Sequence, residues 1–174
     1  MASIKYILLF FFTTLSSFCF GQNNCNYLPV TAKILSNENL DSFLIKIKQE
    51  DFEVSHDKKD IPDFIKKALD CWTGGFSMAN PKESYNATDV RDDSIPDRQL
   101  LFLAINKEIF LMSYLMGGTG EQGHILIVEF HDVQIMDVWT GVSSQNLHSK
   151  IQVLNYIKAH RNKQWGLNTN VIYF

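Results

Sequence analysis

Hydrophobic residues change their spacing along the chain, and each spacing predicts a different kind of element. From Tyr6 to Phe20 they form an almost unbroken run. Between about residues 39 and 73 they recur at helical spacing, and over about 99–140 they fall in strand-like segments. A further helical stripe lies at about 144–160. This order predicts one α+β domain behind a hydrophobic N-terminal segment.

The N-terminal segment has the pattern of a cleavable secretory signal. Lys5 precedes the apolar run, and Gly21 stands before a polar stretch, which favours cleavage after Gly21 and a single domain over residues 22–174. A transmembrane anchor is the first alternative, but the run of 15 residues is shorter than the roughly 20 that a spanning helix needs. A lipid anchor on Cys19 or Cys25 is the second alternative, and neither cysteine follows a typical lipoprotein motif. We therefore expect a periplasmic or secreted protein.

Two helices are predicted ahead of the strands. Apolar residues at helical spacing indicate a helix over about 39–50, although part of this segment would also suit a strand. Pro62 suits the first turn of a helix and Gly74 suits a helix end, so a second helix is predicted over about 61–73. The segment before both, around Tyr27–Leu35, is predicted to be an extended arm.

Four strand-like runs joined by short links predict a four-stranded antiparallel meander over about 99–140. In the second run, Phe110 and every second residue after it form one apolar side, and Ile109 begins the other. The central strands should therefore be covered on both faces, at least in part by helices. A last helix is predicted over about 144–160, and the tail Asn170–Phe174 as a short strand. The four runs are Gln99–Asn106, Glu108–Gly117, His124–His131 and Gln134–Thr140.

The net charge argues against one class of partner. The chain has 174 residues and a formal charge of −3, and loss of Lys5 with the signal makes it slightly more acidic. A mildly acidic protein without a basic patch is a poor binder of nucleic acid. No cofactor motif is present, so we expect no cofactor. We also expect no membrane span after signal cleavage. A protein is the most reasonable partner.

The cysteine count becomes informative once the signal is removed. Three cysteines become two, Cys25 and Cys71. An even pair in an exported protein predicts a disulfide. In the chain-entropy model such a bridge stabilises the fold by roughly 4 kcal/mol and would tie the N-terminal arm to the second helix. The alternative is two unpaired thiols.

Two loops are candidate contact surfaces. Residues 76–98 form a long irregular segment, and loops of this length inside a domain are often functional or mobile. Gly117–His124 contains four glycines, whose backbone N–H groups could face a ligand. A strand follows instead of a helix, so it is not a phosphate loop, and a simple hairpin turn is the alternative. The candidate binding residues are Gly118, Gly120, Trp72 and Tyr85.

Glu129 and His131 are weak catalytic candidates. They are two positions apart on one predicted strand and so share a face, which would allow an acid/base pair. His124 lies an odd number of positions from His131, so it would reach the pair only across a bulge. The alternative, which the pattern favours, is a strand end that reaches solvent.

Carboxylates in the long loop are weak metal candidates. Asp89, Asp92 and Asp93 supply the hard oxygen ligands that calcium prefers, but their spacing does not fit the EF-hand loop. Nearby arginines would neutralise them equally well, so we expect no metal. Asn86-Ala87-Thr88 also fits the acceptor pattern for N-glycosylation.

The sequence as a whole predicts a non-enzymatic exported binding protein, of the kind that acts as an inhibitor or immunity factor. Its small size, single domain and long loop favour this interpretation, with the 76–98 loop and the glycine loop as contact surface. One alternative is a small hydrolase that uses Glu129 and His131. Another is a small-molecule or sugar binder that uses Trp72 and Tyr85.

Overall fold

A computed structural model describes residues 25–118, 120–162, 167 and 174 of the chain. Within these residues the fold has a five-stranded antiparallel sheet and four α-helices, so the predicted α+β class is confirmed. The predicted signal segment and most of the predicted C-terminal strand lie outside the described residues. The elements are α1 Thr31–Leu35, α2 Leu40–Gln49, β1 Glu53–Ser55, α3 Asp63–Thr73, β2 Arg98–Ile105, β3 Ile109–Met116, β4 Gln122–His131, β5 Gln134–Ser143 and α4 Lys150–His160.

The five strands lie side by side in chain order, each antiparallel to the next. Strands β2 to β5 form the predicted meander, but the predicted total of four strands was one too few. The missed strand is β1, in which Glu53 pairs with Ile105 and Ser55 with Leu103. It has three residues, too few to show an alternating pattern.

Both faces of the sheet are buried, as the alternation of apolar residues predicted. Ile109 and Leu111 lie on the face that packs against α1, α2 and α4, whereas Phe110 and Met112 lie on the face that packs against α3. A β-bulge in β2 shifts the register between Leu100 and Phe102, and these two residues consequently belong to opposite faces. The sheet is therefore the middle layer of three.

The two helices predicted from local signals lie close to their predicted bounds. Helix α2 begins one residue later and ends one earlier than predicted. Helix α3 begins directly after Pro62, and Gly74 ends it in the left-handed conformation with φ of 70°. Helix α4 is shorter than predicted, because Ser149 caps it by accepting from the backbone N–H of Gln152. Residues 144–148 precede it as a loop.

The prediction for the N-terminal arm was wrong in part. Tyr27–Leu35 was predicted to be extended, but Thr31–Leu35 forms the single-turn helix α1. Ile34 is the one buried residue of this turn, so the segment shows no helical periodicity. Its position is set by long-range contacts, among them the hydrogen bond of 2.6 Å from Lys33 Nζ to Asp137 Oδ2.

The predicted disulfide is confirmed. Cys25 and Cys71 are bridged, with their Cα atoms 5.8 Å apart, and the bridge attaches the N-terminal arm to α3. Trp72 reinforces the attachment, because its indole N–H donates to the carbonyl of Tyr27 at 2.8 Å. None of the helices in the described part of the chain has the length and apolar character needed to cross a membrane.

Candidate functional site

The long loop is closed at its base by the side chain of Asn86, which is 6% exposed. Its Nδ2 donates to the carbonyl oxygens of Asp92 at 3.0 Å and Ile95 at 3.2 Å, and to Asp97 Oδ1 at 3.0 Å. Its Oδ1 accepts from the backbone N–H of Asp92 at 2.8 Å. The backbone N–H of Asn86 also donates to the carbonyl of Pro96 at 2.8 Å. Asn86 thus closes residues 86–97 of the long loop into a smaller loop.

The glycine loop packs directly against this base. The N–H of Gly117 donates to the carbonyl of Asp97 at 3.2 Å. A Cβ atom at Gly117 would lie 1.7 Å from the carbonyl oxygen of Asn86, so glycine is required there. Beyond it, the hydroxyl of Tyr85 donates to the carboxylate of Glu121. The structure therefore brings together the two loops that the sequence suggested as a contact surface.

The tip of the loop is exposed and acidic. Val90 is 80% exposed, and Asp89 and Asp93 are also exposed. The hydroxyl and backbone N–H of Ser94 both donate to Asp92, which holds the pKa of this carboxyl below its usual value. We call residues Asp89–Asp93 the loop tip; it presents the apolar side chain of Val90, three carboxylates, and the exposed Arg91, which pairs with Asp97.

A cavity of about 250 Å³ lies where the two loops meet, with Thr88, Arg98 and Gly118 in its wall. Arg98 is 8% exposed. Its guanidinium lies 4.6 Å from the ring centroid of Phe76 and donates to a backbone oxygen of Phe174 at 2.8 and 3.1 Å. These contacts fix the guanidinium in place beneath the base of the loop.

Behind Arg98 lies a buried aromatic pair. The rings of Tyr114 and His124 are stacked at 5.2 Å. Burial, and to a smaller degree the charge of Arg98, lower the pKa of His124 to about 4, and burial raises the pKa of Tyr114. At neutral pH both side chains are uncharged, and they lie buried beside Arg98.

The structure does not assemble the catalytic candidates. Lys46 Nζ donates to Glu129 at 2.5 Å on the face covered by α2. The side chain of His131 is 79% exposed, and its Nε2 lies 3.8 Å from Oδ2 of the neighbouring Asp132. His124 belongs to the opposite face, and neither Glu129 nor His131 lines the cavity between the two loops. The geometry offers no support for the hydrolase interpretation.

The remaining candidates are also separated. In the part of the chain that the structure describes, no group of three or more His, Cys, Asp or Glu side chains could hold a metal ion. The amide nitrogen of Asn86, where a glycan would attach, belongs to a buried residue and lies within hydrogen-bond distance of three acceptors. The ring centroids of Trp72 and Phe174 lie 5.0 Å apart, and Trp72 does not line the cavity between the two loops. Gly118 lines the cavity between the loops, whereas Gly120 is exposed, with nothing within 4 Å of the position that a Cβ atom would occupy.

Two residues that organise this site were not among the sequence candidates for it. Asn86 was noted only for glycosylation, and Gly117 only as part of a glycine-rich segment. Both roles depend on contacts between segments far apart in the chain. The sequence contains one local indication of the role of Asn86. It begins a segment rich in aspartate and proline, and asparagine side chains commonly form hydrogen bonds with the backbone of such loops.

A scan of protein-family models, a search of curated proteins and a search of solved structures each found no match to this chain.

Proposed function

We propose that the protein is an exported, non-enzymatic binding protein of the inhibitor or immunity type, whose partner contacts the loop tip. One observation carries the proposal: Asn86 holds both ends of an exposed loop through hydrogen bonds from its buried side chain. A loop that is ordered before binding loses less conformational entropy in the complex, which is a common property of inhibitor loops.

The composition of the loop tip indicates the chemistry of the partner. Asp89, Asp92 and Asp93 are exposed carboxylates, whereas Arg91 pairs with Asp97 at the base of the loop. The tip therefore offers an acidic surface around Val90. A complementary partner is a protein with a basic surface and a small apolar pocket, and its association should become slower as the salt concentration rises.

Export is supported by two observations. The disulfide between Cys25 and Cys71 suits an oxidising compartment. The first residues of the chain have the pattern of a secretory signal. In such a compartment the disulfide also stabilises a small domain against unfolding.

Affinity capture from the exported fraction tests the proposal. The bait is the oxidised protein as wild type and as two variants, Val90→Glu in the loop tip and Ile151→Glu on α4, where Ile151 is another exposed apolar residue. We expect one protein to be retained by the wild type and by Ile151→Glu, and to be lost with Val90→Glu. Equal retention by all three baits, or no specific protein with any of them, would contradict the proposal.

A further inference from the structure

We propose that a groove beside the disulfide is a second binding site, which accepts a small molecule with an apolar body and one carboxylate. This site shares no lining residue with the cavity between the two loops, so the inference is independent of the proposed function.

The groove has a volume of about 650 Å³, which is within the range of pockets that hold small molecules. Tyr27 and Phe64 contribute aromatic surface, and Ile135 and the disulfide contribute further apolar surface. Val133 lines it too and is 69% exposed, so apolar surface remains open to solvent at the turn between β4 and β5. A ligand with an apolar body would cover this surface.

The walls are held in place from several directions. The arm carrying Tyr27 is attached by the disulfide and by the hydrogen bond from Trp72, and the hydroxyl of Tyr27 donates to Asp137 Oδ1 at 3.5 Å. Phe64 packs with its ring centroid 5.0 Å from that of Phe130. These contacts keep the groove open before any ligand enters, because collapse would break them.

The charge at the groove specifies the polar end of the ligand. Lys67 is the one charged residue among those lining the groove, and within the described residues it forms no ion pair. Its neighbour Lys66, by contrast, pairs with Asp63 at 3.5 Å. An ammonium beside apolar surface favours a carboxylate over a neutral or cationic head group. Asn26 and Gln134 also line the groove and supply amide donors for the same group.

Calorimetric titration with decanoate and with decanol tests the inference on the oxidised protein. We expect saturable binding of decanoate, and binding of decanol weaker by about threefold to tenfold because it lacks the charge. Lys67→Met keeps the apolar stem and should make the two affinities equal. Lys66→Met, the matched control, should retain the preference for decanoate.

A second variant tests the apolar half of the site. Val133→Glu places a carboxylate on an exposed turn residue, which the fold should tolerate, and should abolish binding of both compounds. Val90→Glu in the loop tip should leave both affinities unchanged. The inference is overturned if wild type shows no saturable binding of decanoate, if decanol binds as tightly, or if Lys66→Met and Lys67→Met behave alike.

Discussion

Replacing Gly117 with alanine should loosen the loop while leaving the sheet folded. The added Cβ would lie 1.7 Å from the carbonyl oxygen of Asn86, 2.6 Å from its carbonyl carbon and 2.8 Å from that of Ala87. All three are backbone atoms, so no side-chain rotation can relieve the contact. The segment that carries Asn86 must move away from the glycine loop by more than an ångström, and its hydrogen bonds must lengthen or break.

The expected cost follows from two contributions. Overpacking in a tightly packed region costs about 1–3 kcal/mol. Each hydrogen bond of Asn86 that is lost adds about 1 kcal/mol, although solvent replaces part of it near the surface. We expect Gly117→Ala to lower the free energy of unfolding by about 2–4 kcal/mol. Gly120→Ala is the matched control, because nothing lies within 4 Å of a Cβ there, and its effect should stay within about 0.5 kcal/mol.

Urea unfolding measures the free energy, and amide hydrogen exchange locates the change. The exposed Asp92 donates its backbone N–H to Asn86 Oδ1, so this amide should exchange slowly in the wild type and rapidly in Gly117→Ala. Amides of the central strands β3 and β4 should remain protected in both proteins. The reasoning would be refuted if Gly117→Ala had wild-type stability and a slowly exchanging Asp92 amide. It would also be refuted if Gly120→Ala lost as much stability as Gly117→Ala.

Three further outcomes are expected. Reduction of Cys25–Cys71 should lower the free energy of unfolding by about 4 kcal/mol in urea titrations, and the double serine variant should not respond to reductant. Folding lowers the pKa of His124 from 6.5 to about 4, so between these two pH values the unfolded chain binds more protons than the folded one. The free energy of unfolding should therefore fall by about 3 kcal/mol as the pH drops from 6.5 to about 4. This dependence of stability on pH should vanish in His124→Phe and persist in His131→Gln. Its loss in His131→Gln would show that it arises from His131 and not from His124. Glu129→Gln removes a partly exposed ion pair and should cost less than about 1 kcal/mol, with capture of the partner unchanged; a loss of capture would revive an active role for Glu129.

The parts of the fold that follow local rules could be predicted from the sequence. The ends of α3 are set by Pro62 and Gly74, which restrict the backbone wherever they occur. The strands β2–β5 follow from apolar residues on both alternating sides, because a covered central sheet requires them. The disulfide followed from counting cysteines after removal of the signal segment.

The parts that depend on distant contacts could not be predicted. Helix α1 and strand β1 are too short to show a period, and pairing with β2 defines β1. The bulge between Leu100 and Phe102 also leaves no local signal, although it decides which face each residue joins. At the site, the need for glycine at position 117 arises from the backbone of Asn86, which only the folded chain brings near.

Site-specific photo-crosslinking tests the central claim, that the loop tip is the partner-binding surface, most directly. A photoreactive residue replaces Val90 in one variant of the chain and Ile151 in a second variant; both positions are exposed and apolar. Irradiation in the exported fraction should link the Val90 probe to one protein, in a yield that falls as salt is added, and should leave the Ile151 probe unlinked. A crosslink to the same protein from Ile151 and none from Val90 would contradict the claim.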